Sequence, residues 1–434
     1  MMHKLYQSLS VACLFFLTES YAQQKALKVE TKTGTLELPA PNEAASTNKF
    51  SNVIGWPKDK MPLAPQGFKV EIFANGIKSP RNLIQLPNGD VLVSLANSER
   101  SAADAEKNRK SGKINAEVGG LSANKVMLYR DTNGDVLPDE SFVYLEKLKQ
   151  PYGLALIGQT LYVANTDGIL TFPYREDETK NLNTGKKIVS FTGGGYNNHW
   201  TRNLITNSNK TKIYASVGSA SNVGEFGMDQ EIRRANILEI NPDGSGEIIY
   251  GAGLRNPVGM DWNPITNELW TVVNERDILG DDLVPDYLTS VKKGGFYGWP
   301  YAYFGPNEDP RQKGKAPELV KKTIVPDVPL GSHTASLGLR FYTGNQFPEK
   351  YKNGAFVGQH GSWNSSKLVG YKVVFVPFKD GKPAGKPEDF LTGFIADKAS
   401  GDVYGRPVEI LQLKDGSLLV TDDVAGTIWR VSAK

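Results

Sequence analysis

Residues 153–172 read GLALIGQTLYVANTDGILTF: a short apolar strand, a tight turn at Gly158-Gln159, a second β-rich strand, and another turn at Asp167-Gly168. Apolar and aromatic residues alternating at period two between polar turn residues are the pattern of β-strands linked as hairpins. The same unit recurs at NLIQLPNGDVLVSLAN (82–97), NLITNSNKTKIYASVGSAS (203–221), GMDWNPITNELWTVVNERD (259–277), NGAFVGQHGSWNSSKLVGYKVV (353–374) and PVEILQLKDGSLLVTDDVAGTIWRV (407–431). These are six copies, unevenly spaced because of insertions, and no helical 3.6-residue period runs for any length between them. Repetition of one small sheet predicts an all-β chain folded as a six-bladed β-propeller. A β-sandwich with added hairpins would need six similar units by coincidence.

Composition agrees with such a fold. The chain has 434 residues, of which 39% are hydrophobic, with 44 glycines and 25 prolines spread along its length, which suits many tight turns. Fifty basic and 47 acidic residues are interspersed and leave a net charge of +3, so no basic stripe points to nucleic acid. Small molecules or proteins are the expected partners. At the N-terminus, His3 and Lys4 precede the apolar run LSVACLFFL and then Ser20-Tyr21-Ala22, the layout of a secretory signal cleaved after Ala22. The run is short for a membrane span, and no later segment qualifies. Cys13, the single cysteine, lies inside it, so the mature chain has no disulfide, thiolate metal site or cysteine nucleophile. Export without disulfides suits a periplasmic or secreted protein. Residues 23–60 are polar and aperiodic and read as a leader or linker, with the propeller over 61–434.

In a propeller the loops of different blades meet at one mouth of a central channel. Polar residues recur at one phase of the repeat: His199 and Arg202, Arg255 and Asn256, Glu275 to Asp277, His360, Arg406, and Asp422 with Asp423. Arginine and histidine converging in this way suit an anionic ligand, because guanidinium pairs with carboxylate in two-pronged fashion. NERDILGDDLVPDYL (274–288) concentrates acidic residues that suit a hard cation such as calcium, although its spacing is not that of an EF-hand. DTNGDVLPDE (131–140) has a weaker resemblance to a calcium loop and also reads as a turn.

These segments together resemble the pyrroloquinoline quinone-dependent sugar dehydrogenases of the soluble glucose dehydrogenase and L-sorbosone dehydrogenase type. The resemblance rests on HWTRNL (199–204), GLRNPVGMDW (253–262), NERDILGDDLVPDYL, KKGGFYGWP (292–300), FVGQHGSWNSSK (356–367), YGRPVEI (404–410) and LLVTDDVAGTIWRV (418–431), and it spans about residues 60 to 434. It implies a six-bladed propeller that oxidises an aldose or sorbosone-like sugar by hydride transfer to pyrroloquinoline quinone, with calcium as second cofactor and a quinone or cytochrome as electron acceptor. By the same resemblance His199 is the general base, and Arg255 is catalytic, stabilising the reduced cofactor. Arg81, Gln150, Arg255, Asn256, His360, Arg406 and Asp422 bind the cofactor, and the carbonyls of Asp277 and Ile278 hold the metal. Asn198 stands where the glucose enzymes place an acidic partner for the histidine, and His360, in preference to Lys367, stands in for a cofactor-binding lysine. Two other readings share the fold: a lactonase-type hydrolase with a channel calcium, and a non-enzymatic propeller that binds carbohydrate. Trp200, Trp299 and Trp363 could stack on a sugar ring under any of the three.

Overall fold

The computed structural model describes residues 26–99, 102–116, 121–192 and 196–434; the signal expected over 1–22, with Cys13, and the glycines at 193–195 lie outside them. The chain is all-β in its main body. Six antiparallel sheets follow one another, beginning with strands Pro80–Gln85, Leu154–Ile157, Leu204–Thr206, Pro257–Trp262, Ser336–Phe341 and Pro407–Gln412. Each contains four strands in chain order, except that the third gains a fifth, Gly295–Phe296, paired in parallel with Ile248–Ala252, and the sixth borrows its outer strand from the start of the chain. That outer strand, Phe68–Ala74, pairs with Thr427–Ala433 from Ile428↔Ala74 to Ala433↔Phe68.

The strands are apolar on both faces, and alternation sends successive residues to opposite neighbours. In Val91–Leu95 of the first sheet, Leu92 packs with Leu161 and Val163 of the second, whereas Val91 and Val93 pack with Leu419 and Ile428 of the sixth. Every sheet therefore has two faces to bury, and an open stack would leave two exposed. The first strands answer this by neighbouring one another in a cycle, from 80–85 through 154–157, 204–206, 257–262, 336–341 and 407–412 back to 80–85. Trp429, 1% exposed, joins the fifth-to-sixth sheet core and meets Trp56 edge-on with centroids 5.2 Å apart. Trp429→Ala is expected to cost about 3–5 kcal/mol of stability, measurable as a lower urea midpoint.

Two expectations are corrected. Residues 26–60 are not a plain leader: Leu27–Thr31 and Gly34–Leu38 form a hairpin, Val29 and Leu38 are buried against the third and fourth sheets, and Asn52–Val53 pairs with Asp402–Val403. Helix does occur among the described residues, at Ala102–Lys110 and Pro317–Lys322, in insertions between strands. The 131–140 segment is a turn between Lys125–Arg130 and Glu140–Leu145, with Asp131 accepting bonds from the backbone of Asn133, Gly134 and Val136.

Candidate active site

In an antiparallel pair, the start of one strand lies beside the end of the next. Pro80 faces Leu95, Pro257 faces Val273, Ser336 faces Gln359 and Pro407 faces Asp422. Residues just before a first strand and just after a second strand thus gather at one end of the ring. There they enclose a cavity of about 240 Å³ lined by Arg81, His199, Arg255, Asn256, Asp277, His360 and Arg406, all expected from the sequence. Phe50, Lys113, Asn274, Glu275, His333, Trp363 and Asp423 complete much of the wall.

His199 Nδ1 lies 2.8 Å from the carbonyl of Ser219 and 3.0 Å from its Oγ, and that hydroxyl donates to the carbonyl of Ser221 at 2.6 Å. A carbonyl can only accept, and the Ser219 hydrogen is already committed, so Nδ1 carries the proton and Nε2 keeps its lone pair. Burial first, and then the Arg255 charge, lower the imidazole to about 3, which keeps it neutral. Ser219, rather than a carboxylate, therefore orients the ring that has Asn198 as its chain neighbour. Gly218 permits this packing, because a Cβ there would sit 2.3 Å from Asn256 Oδ1 and 2.6 Å from His199 Cβ. The 219–221 turn is fixed in turn by buried Glu231, which accepts from the backbone of Ala220 and Ser221 and from the Ser221 hydroxyl. Glu231→Ala should strand these donors, at about 1–3 kcal/mol for a buried group. The expected readout is a lower urea midpoint.

The cations differ in how far their charge is spent. Arg255 Nη2 pairs with Asp277 Oδ2 at 2.8 Å, and Nη1 donates to the Glu275 carbonyl at 2.6 Å. Burial pushes the Asp277 carboxyl up, but Arg255 and then His333 outweigh it and hold the group at about 2. Arg81 pairs with Asp423 at 2.9 Å, and the same carboxylate accepts from His360 Nε2 at 2.8 Å. Burial and then Arg406 lower His360 to about 4 in spite of Asp423, so it is neutral. Arg406 donates to the carbonyls of His360, Ala116 and Gly361, and among the described residues no carboxylate bonds to it. Burial raises Glu275 to about 7 and Asp286 to about 6, which weakens the negative charge of Glu275 most. Asn256 Oδ1 is buried without a hydrogen-bond partner.

Three expected residues lie elsewhere. Gln150 is buried behind the wall, where its Nε2 donates to the carbonyl of Asn97, a lining residue. Asp422 ends a strand and turns away from the cavity to accept from Trp56 Nε1 and the Arg406 backbone, each at 2.8 Å; its neighbour Asp423 faces inward. Ile278 is 53% exposed, and its carbonyl and that of Asp277 both accept from Arg276. His333 was missed by sequence reasoning, although it is one of only four histidines and follows the strand Val328–Ser332. Its Nε2 lies 3.0 Å from the Gly280 carbonyl and its Nδ1 3.7 Å from Asp277 Oδ1.

A ring of antiparallel sheets whose loops build one cationic cavity defines a class of all-β protein with a central ligand site. Within that class the chain belongs to the TrAA12-like family, whose model matches residues 62–285 and 308–434. It is 31% identical to an uncharacterized protein of Borreliella burgdorferi, over 85% of this chain and 89% of that one. It is also similar in fold to the calcium structure of a Trichoderma reesei carbohydrate-active enzyme of family AA12, with TM-score 0.69, 20% identity, and 86% and 97% of the two chains covered. The holo pyrroloquinoline quinone domain of Coprinopsis cinerea pyranose dehydrogenase superposes with TM-score 0.68 at 20% identity, over 88% of this chain and all of that one.

Proposed function

We propose that the protein is an exported, six-bladed β-propeller oxidoreductase that oxidises a sugar with pyrroloquinoline quinone. The cyclic order of six sheets of four or five strands supports the propeller, and the family and the Coprinopsis fold support the cofactor class. The observation that carries the reaction is His199, whose unprotonated Nε2 belongs to a cavity also lined by Arg81, Arg255 and Arg406. When bound, the quinone supplies a two-electron acceptor for the hydrogen on the sugar carbon. The residues present fit a tricarboxylate of this kind: Arg406 has charge unmatched by any bonded carboxylate, and Arg81 and Arg255 add to the field. Those three arginines, with His360, would hold it. His199 Nε2 would remove the hydroxyl proton, Asn256 Oδ1 would accept from a further hydroxyl, and Trp363 and Phe50 would shield the site from water.

A hydrolase would need a carboxylate free to hold a cation or activate water. Here Asp277 and Asp423 are tied to arginines, burial raises Glu275 to about 7, and Asp286 accepts from the Glu275 and Ser336 N–H groups and the Thr334 hydroxyl. Titration of the purified chain with pyrroloquinoline quinone should quench tryptophan fluorescence, since Trp200 and Trp363 line the cavity. Arg406→Ala should weaken that binding about 10- to 100-fold, the equivalent of about 1.5–3 kcal/mol for a hydrogen bond to a charged group. The absence of saturable quenching in the wild type would reject the proposal. The sugar's identity, the acceptor (a quinone or a cytochrome) and the periplasmic or secreted location belong to the same proposal. No helix among the described residues is long and apolar enough to cross a membrane.

A further inference from the structure

The carbonyls on which a calcium ion was expected are already engaged by a cation of the chain itself. Arg276 is 2% exposed, and its Nη1 donates to the carbonyl of Asp277 at 2.7 Å and to that of Ile278 at 3.0 Å. The rest of its guanidinium closes on Asp309, a carboxylate 1% exposed, through Nε and through Nη2, the latter 3.2 Å from Oδ1. The loop backbone is satisfied elsewhere too: Asn222 accepts from the Asp277 N–H at 2.9 Å and donates to its carbonyl at 2.8 Å, and Asn364 accepts from the Ile278 N–H at 2.8 Å.

The acidic side chains of the loop offer little more. Asp277 is paired with Arg255, Asp281 accepts from the Ser366 backbone and hydroxyl at 2.6 Å each, and Glu275 is buried and caps the Arg276 N–H. Calcium asks for about six to eight oxygens, several of them anionic. Among the described residues no group of three or more His, Cys, Asp or Glu is arranged to hold a metal ion. A divalent ion on the outer lone pairs of the two carbonyls would also lie close to a buried guanidinium, where like charges repel with little screening. The donor set does not fit the ion.

We propose that Arg276 is the resident cation of this loop: paired with Asp309, its guanidinium takes both carbonyls, so the chain folds the loop and binds its quinone without calcium. The second half of this statement rests on the proposed cofactor. The loop so fixed presents the Asp277 carboxylate to Arg255 and His333, and the cationic partner at the cavity is Arg255 rather than a metal.

The test uses the full mature chain stripped of divalent ions by chelation, with and without about 1 mM calcium chloride, read first by thermal unfolding and then by pyrroloquinoline quinone titration. The expected result is an unchanged melting temperature and a quinone Kd that agrees within about twofold between the two conditions. A calcium-dependent rise in melting temperature, or a quinone affinity at least about tenfold tighter with calcium, would overturn it. If quinone binds in neither condition the proposed function falls, while the melting arm still decides whether the loop takes calcium. Arg276→Gln should lower the melting temperature without added metal; if that variant does not fold, the wild-type comparison is sufficient.

Discussion

Replacing His199 by alanine is expected to reduce turnover by about 10²–10⁴-fold, the contribution of a positioned general base, while cofactor affinity changes by less than about threefold. The reason is geometric. Ser219 holds the proton on Nδ1, so Nε2 is the acceptor, 3.5 Å from the Asn198 amide nitrogen; of the other imidazoles at the cavity, His360 donates from Nε2 to Asp423, and His333 sits between the Gly280 carbonyl and Asp277. Steady-state kinetics with saturating cofactor check this, with quinone binding measured separately. The wild-type pH profile should carry the same signature. A base whose pKa is lowered to about 3 remains neutral as pH falls through the ordinary imidazole value near 6.5. Wild-type kcat/KM should therefore show no acid limb attributable to His199 between about pH 5 and pH 8. Normal turnover in His199→Ala would place the base elsewhere.

Arg255→Ala should have the second large effect, on stability and on pH dependence together. Its loss leaves the half-buried Asp277 carboxylate with only His333, 3.7 Å away, as a cationic neighbour, and the cost should approach about 3–5 kcal/mol, that of breaking one side of a buried ion pair. A lower urea midpoint is the expected readout. The same change removes the positive charge that, after burial, does most to lower His199, and leaves a negative charge near it. Both raise the imidazole pKa, so the acid limb of kcat/KM should move upward, toward neutral pH, relative to the wild type. A variant with the wild-type midpoint and profile would show that Arg255 neither supports Asp277 nor tunes His199.

The sequence carried the sheets well because their central strands, such as Val91–Leu95 and Ile213–Val217, bury both faces. Val91, Leu92 and Val93 leave no polar side to blur the period, and Asn-Gly and Asp-Gly turns mark the ends. It carried much of the site because equivalent positions in the repeat gather at one end of the ring. Where it failed, the deciding contact came from far along the chain or hung on one residue of register. Asp422 and Asp423 differ by a single step, and in a strand one step exchanges faces. The 26–60 segment is polar, and its order depends on Val29 and Leu38 entering a core made by the third and fourth sheets and on Trp56 reaching Asp422. Phe50 and Lys113 reach the cavity from segments with no periodic signal. At the acidic loop 274–288 the spacing cannot reveal that Asp309 draws Arg276 inward onto the loop's own carbonyls.

The central claim is sugar oxidation through a bound quinone, and one assay meets it directly. The purified mature chain, loaded with pyrroloquinoline quinone, is mixed with an artificial electron acceptor and a panel of aldoses, and reduction of the acceptor is followed by absorbance. The expected result is saturable, quinone-dependent reduction with at least one aldose, lost in His199→Ala. Reduction with none of the sugars by a chain that has demonstrably taken up the quinone would contradict it.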